Sequence, residues 1–401
     1  MQNNRHNTNN IILNPFVPQH PAQPQFFAGR KSEIDDFRKA ALNSAKINPP
    51  TPINYAILGS WGMGKTSLLY EFKQIALEEL KDSINCTSFF MALSPQSCRS
   101  WDDFSSHFLR SVRSTVTATE GIRAKIREEI KNWEVGLNAG FVSAKRGRGN
   151  SPPDFLEALE NLWQKHLKPK GTEIAFVFLD DLHYFPIKSD DSSYLNLRTM
   201  FQELVHRGCN YSLVVTAPTG LLTEIAESAE PMIRFFTQFN LTPFELSEAK
   251  EAVRKRLAAT KQGIVVNDDV VESIVTKTLG HPYFVMFVMF ELLSRLERVR
   301  NVNMKSLDQN WPKIRTSLFR TVFEQKFKNS APKERELMVQ IAKFGSEVVS
   351  ASDFPKFKGT NTHFSRLEQG ELLIRKERGQ YSLFHPLFAE YLREQQKSNS
   401  D

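Results

Sequence analysis

Short, unbroken apolar runs alternate with longer amphipathic stretches through the first half of the chain. The runs at 53–58, 87–93, 174–179 and 212–216, with a weaker one at 239–241, have the length of buried strands and are apolar at consecutive positions. Between them, apolar residues recur at three- and four-residue spacing over 66–80, 101–116, 154–166 and 194–206, which predicts helices with one buried face. Strand and helix in alternation predict a parallel sheet covered on both faces. Residues 47–52, rich in proline, read as a stiff connector. Residues 122–133 are dense in Lys, Arg and Glu and predict a solvated helix, 134–144 a hairpin, and 145–149 (Lys-Arg-Gly-Arg-Gly) a basic loop.

Beyond Leu241 the strand pattern fades. Helical spacing over 247–259, with Ser247 as N-cap, and over 268–278 and 282–298 predicts a small helical domain. Helices at 314–328, 333–344, 351–357 and 361–369 come next. A two-strand ribbon (372–377 and 380–384, turning at Arg378-Gly379) and a last helix at 386–395 complete the chain, the element order of a winged helix-turn-helix. Residues 1–24, rich in Asn, Gln and Pro, read as a flexible arm. The domains expected are therefore 1–24, 25–246, 247–310 and 311–401.

Gly59-Ser60-Trp61-Gly62-Met63-Gly64-Lys65-Thr66-Ser67 fits G-x-x-x-x-G-K-[ST] between a predicted strand and a predicted helix. Glycines let such a loop curl so that its N–H groups face phosphates, and the helix N-terminus adds partial positive charge. Gly59, Gly62, Met63, Gly64, Lys65, Thr66 and Ser67 are the nucleotide contacts expected from it, with Lys65 reaching the β and γ phosphates and the Thr66 hydroxyl on Mg²⁺. The acidic partner is Asp180, at the end of Ala175-Phe176-Val177-Phe178-Leu179-Asp180-Asp181, as a second Mg²⁺ ligand; Asp181 polarises the attacking water. Asp is one methylene shorter than Glu, so slow hydrolysis is expected. Thr216 ends the strand that follows. Lying between the P-loop strand and the Asp180 strand, it would put a polar group near the γ-phosphate or water. The extra strand 212–216 predicts an α/β P-loop NTPase of the additional-strand type: a five-stranded parallel sheet, a helical lid and a C-terminal winged helix-turn-helix.

These landmarks, over 26–393, resemble the AAA+-like ATPases of the STAND and archaeal-ATPase group, related to the origin-recognition initiators. Phe27-Ala28-Gly29-Arg30-Lys31-Ser32-Glu33-Ile34 is similar to the family's adenine-side entry motif, with Lys31 where the family has Glu, and implies Gly29 and Arg30 near the base. Residues 241–249 resemble the entry into the lid, and Gly280-His281-Pro282-Tyr283 the lid motif, implying His281 and Pro282 on the phosphates. The resemblance also implies that Arg234 completes a neighbour's ATP site, and so a homo-oligomer or a partner protein. For the winged helix two readings stand open. In one, Asn361, Thr362, His363, Ser365 and Arg366 enter a groove of duplex DNA while Arg375, Lys376 and Arg378 touch its backbone. In the other, the domain docks a protein, as in slow nucleotide-gated signalling or defence switches. The chemistry implied is Mg²⁺-dependent ATP hydrolysis driving conformational change or assembly.

The net charge of +7 favours polyanionic partners. No apolar run approaches the roughly 20 residues of a membrane span, and no signal peptide is read at the N-terminus. Cys86, Cys98 and Cys209 lie far apart without C-x-x-C spacing, which predicts neither a disulfide framework nor a zinc site and suits a reducing cytoplasm.

Overall fold

The computed structural model describes residues 13–47, 51–115, 128–133, 154–185, 192–296, 300–344 and 348–397. Within it the chain forms two compact units, residues 21–242 and residues 1–20 with 243–401. The hairpin and basic loop expected at 134–149 lie outside the described residues; 128–133 is helical, as expected.

The first unit is built on strands β1 (Tyr55–Leu58), β2 (Cys86–Ala92), β3 (Ile174–Asp180), β4 (Tyr211–Ala217) and β5 (Thr237–Asn240). They lie in the order β2-β3-β4-β1-β5, every pair parallel. Every residue of β1, β3 and β4 is buried, which is why those runs are apolar without alternation, whereas edge strand β5 is largely exposed. The side-chain period of two then divides the strands between two cores. Tyr55, Ile57, Phe176, Phe178 and Val214 pack with residues of helices α1 (Lys31–Lys46) and α2 (Lys65–Gln74). Phe37 of α1 stacks on Phe72 of α2 at 4.2 Å. Ala56, Leu58, Val177, Leu179, Leu213 and Val215 face the opposite core with α3 (Trp101–Thr115), α4 (Phe155–Leu162) and α5 (Ser192–His206). The helix expected over 66–80 keeps α-geometry only to Gln74, and its last turn, Ile75–Glu79, widens to a π-turn.

The second unit holds the helical lid and the winged helix. Helix α6 (Leu246–Ala259) starts earlier than read. Its N-cap is Glu245, whose backbone N–H is held by Glu248 at 2.9 Å in a reciprocal box, so Ser247 is not the cap. Helices α7 (Asp268–Thr278) and α8 (Pro282–Arg295) follow. A short parallel bridge pairs Val265–Val266 with Asn301–Val302, too brief for an apolar pattern to reveal. Helix α9 (Met304–Leu318) is capped by Asn303 and runs through Pro312, so the expected 310/311 boundary falls inside a helix. The missing proline N–H costs one hydrogen bond there without ending the helix. Helices α10 (Pro332–Lys343), α11 (Thr360–Gln369) and α12 (Pro386–Lys397) surround a small antiparallel sheet. The ribbon Leu373–Glu377 with Gln380–Leu383 gains a third strand, Val349–Ser350, and the helix expected at 351–357 is only the 3₁₀ turn Ala351–Asp353.

The flexible-arm reading does not hold for residues 13–20. Phe16 is fully buried, Asn14 Nδ2 donates to the Phe290 carbonyl and to Ser294 Oγ at 2.8 Å each, and the Leu13 N–H donates to Gln262 Oε1. The run Leu13-Asn14-Pro15-Phe16-Val17-Pro18 is short and broken by prolines, so it carries no periodicity from which such packing is legible.

His385 joins the winged helix to the lid. Its Nε2 donates to the Thr278 carbonyl at 2.9 Å, and its Nδ1 accepts from the Leu387 N–H at 3.1 Å. Burial lowers its pKa below 6.5, against an opposing contribution from the Thr278 carbonyl. The unfolded chain therefore takes up this proton more readily than the native one. The stability concerned is present above the unfolded value and is lost as the pH falls from there through the lower native value. Thermal melting from about pH 7 to about pH 5 should show a falling Tm, and His385→Gln should flatten that slope. An unchanged slope in the variant would assign the pH dependence elsewhere.

Candidate nucleotide and magnesium site

Gly59 follows β1 directly, and its backbone N–H donates to the Ala217 carbonyl of β4. A Cβ on Gly59 would lie 3.2 Å from that of Leu241 and 3.3 Å from that of Met63, so the loop passes too close to β5's end to carry a side chain there easily. Gly62 and Gly64 have φ of 78° and 91°, the left-handed values a glycine adopts without strain. The chain then enters α2 at Lys65, with Gly64 as N-cap. Lys65 Nζ donates to the carbonyls of Gly59 (2.6 Å) and Ser60 (3.2 Å), so the ammonium lies over the loop. The Met63 side chain is buried in the core with residues of α1 and α2, which leaves its main chain in the loop. Ser67 Oγ accepts the Ala22 N–H at 2.9 Å, a tie from the preceding segment that the motif does not signal.

The acidic side of the site comes from β3. Thr66 Oγ1 lies 2.9 Å and 3.2 Å from the two carboxylate oxygens of Asp180. The spatial order β3-β4-β1 sets Thr216 beside Asp180. Its hydroxyl donates to Asp180 Oδ1 at 2.5 Å and accepts the Asp181 N–H at 2.8 Å. Thr216 is fully buried, and among the described residues its hydroxyl meets both acids, donating to one and accepting from the other. Burial pushes the Asp180 carboxyl above its ordinary value, and the neighbouring Asp181 adds to that rise. Hydrogen bonds from Thr216 and Thr66 and the Lys65 ammonium oppose it. A buried carboxylate beside a hydroxyl, both hard oxygen donors at the mouth of a curled backbone, is chemistry that fits Mg²⁺ and phosphate.

Asp181 has φ 63° and ψ 52°, an uncommon conformation for a residue with a Cβ, and its side chain is 41% exposed. His183, overlooked in the sequence, has Nδ1 3.9 Å from Asp181 Oδ1; its spacing of two from an acidic strand end is the only sequence signal it offers. Gly29 and Arg30 also have positive φ, and the buried Arg30 donates from Nη2 to the Thr242 carbonyl at 2.5 Å. Arg234 is not joined to this cluster. It ends the helix Ala226–Ile233, pairs with Glu230, and has a 79% exposed side chain. His281 and Pro282 belong to the second unit, where His281 caps α8 and stacks on Phe284.

On the winged helix, Asn361, Thr362, Ser365 and Arg366 of α11 are exposed, as are Lys376 and Arg378 of the ribbon. His363 departs from the expectation. It is 13% exposed and turns to Glu334 of α10, Nδ1 to Oε1 3.8 Å. Arg375 is drawn to Glu368 at 2.8 Å. No helix among the described residues is long and apolar enough to cross a membrane, and no cluster of metal-binding side chains of the His, Cys, Asp and Glu type is found among them.

No protein-family model matches the sequence, and no curated protein does. Solved structures do. A Walker-type ATPase of Pyrococcus abyssi aligns with TM-score 0.54 at 14% identity, over 92% of this chain and 99% of its own. The ORC2 protein of Aeropyrum pernix, in ADPNP–ADP complexes, aligns with TM-score 0.60 at 11% identity, over 92% of this chain and 94% of its own. The chain thus has a P-loop fold related to that of the initiator-type AAA+ ATPases, with a five-stranded parallel sheet, a helical lid and a winged helix.

Proposed function

We propose that this chain is a Mg²⁺-dependent ATPase whose cycle drives conformational change or assembly on duplex DNA, in the STAND and archaeal-ATPase branch of the initiator-like proteins. The observation carrying the reading is the Thr66 hydroxyl within 2.9 Å of the Asp180 carboxylate at the end of a complete phosphate-binding loop. Thr66 and Asp180 would hold Mg²⁺, which when bound neutralises charge building on the transferred phosphoryl group. Backbone N–H groups of the loop through Ser67 cradle the phosphates, and Lys65 exchanges its carbonyl partners for phosphate oxygens. Asp181 directs the attacking water, while Thr216 fixes both acids from behind. Gly29 and Arg30 shape the adenine side, and His281 and Pro282 serve the lid's response to nucleotide. The exposed polar face of α11 and the basic ribbon suit duplex DNA.

Arg234, exposed and close to the start of β5, would act on a neighbouring copy's ATP. Activity per chain is then expected to rise with protein concentration, and Arg234→Ala to lower the assembled rate by about 10³-fold. Rates strictly proportional to concentration would remove Arg234 from catalysis.

A second reading is favoured by Arg375, whose charge on the wing is paired with Glu368, and by His363, which is only 13% exposed on α11. On it, the protein is a slow nucleotide-gated switch whose winged helix docks a protein. An ATPase assay with and without duplex DNA at moderate salt separates the two. DNA that binds and stimulates turnover supports the first; DNA that does neither leaves the second.

A further inference from the structure

We propose that His183 is a positioning residue for hydrolysis, its imidazole setting the direction of the Asp181 carboxylate. This rests on the ATPase reading above and extends it to a residue that no motif marks. The main chain of Asp181 is already fixed, because its N–H is held by Thr216 and its carbonyl accepts the Tyr184 N–H at 3.0 Å. Its side chain is partly exposed and lies beside Asp180, a like charge. Asp180 is occupied by Thr66 and Thr216, so it repels Asp181 rather than orienting it. His183 supplies the opposite influence.

The turn that carries His183 is rigid. Leu182 and Phe185 are buried on either side, and the Phe185 N–H donates to the Leu182 carbonyl at 2.9 Å. The imidazole rests against the Tyr184 ring at 4.0 Å, which limits its rotation. At 3.9 Å, Nδ1 is within ion-pair distance of Asp181 Oδ1 and a small side-chain rotation from a hydrogen bond, a contact of the kind that tightens when substrate binds. Direction matters more for Asp than for Glu at this position: the shorter arm reaches a water from fewer angles. A neighbour that holds the carboxylate therefore makes up for the missing methylene.

The test uses the full chain with His183→Ala, His183→Asn and Asp181→Asn. Folding is checked by thermal melting. The readouts are kcat, KM for ATP, and the affinities for Mg²⁺–ADP alone and with aluminium fluoride, which mimics the phosphoryl group in flight. His183→Ala should lower kcat by about 10- to 100-fold, with KM and ADP affinity within about 3-fold of the parent. Affinity for the fluoride complex should fall with kcat. His183→Asn, whose amide nitrogen sits near the place of Nδ1, should restore most of both. In the Asp181→Asn background, His183→Ala should add nothing further.

Parent-like kcat and fluoride binding in His183→Ala would overturn the proposal, as would a His183→Asn variant no better than the alanine. If the alanine variant does not fold, His183→Phe, which keeps the ring and lacks the nitrogen, takes its place, and full additivity of its kcat loss with that of Asp181→Asn also overturns the proposal. A parent chain that turns over no ATP would count instead against the ATPase reading.

Discussion

Lys65→Ala is expected to weaken ATP binding by about 10²–10⁴-fold and to remove turnover with it. The estimate follows from two charge-assisted hydrogen bonds to phosphate, at about 1.5–3 kcal/mol each. The ammonium already lies over the loop, donating to the carbonyls of Gly59 and Ser60, so it needs only to change partners. Its loss also leaves those carbonyls unanswered. The fold should survive, because the side chain is only part-buried and α2 is anchored by Leu68, Leu69 and Phe72. Titration with a fluorescent ATP analogue checks this, and undiminished affinity in a folded variant would put the triphosphate elsewhere.

Asp181→Asn is expected to separate binding from cleavage. Asparagine matches the carboxylate in shape and tolerates left-handed φ, so the loop after β3 keeps its path. The Thr66–Asp180 pair is untouched, so ATP affinity should stay within about 3-fold. Loss of the group that takes the water's proton should cost about 10²–10⁴-fold in kcat. Filter binding alongside single-turnover hydrolysis measures both. A variant that cleaves normally would strip Asp181 of its role.

The phosphate loop and the sheet order were readable because both write themselves locally. The glycines, Lys65 and Thr66 occupy fixed spacings. The additional strand ending at Thr216 leaves an apolar run of its own, and that run places β4 between β1 and β3. What Thr216 does there was not readable, since a hydroxyl at a strand end has the same sequence appearance whether it meets a phosphate or a carboxylate. The Glu245 cap was missed for a related reason: serine is the commoner cap, and only the return contact from Glu248 distinguishes the two. Leu13 and Asn14 bond to partners more than 200 positions away, which no short-range pattern encodes. His363 lies three residues after Thr360 and four before Leu367, both buried, so the helix period itself sets it beside the inward face, 3.8 Å from Glu334.

The backbone at Asp181 has a consequence for engineering. Glycine would relieve its left-handed strain and gain roughly 1 kcal/mol of folding stability, while deleting the carboxylate altogether. A screen for thermal robustness should therefore enrich inactive chains at this position, and a screen for turnover should bring the aspartate back. Robustness and catalytic competence pull one codon in opposite directions.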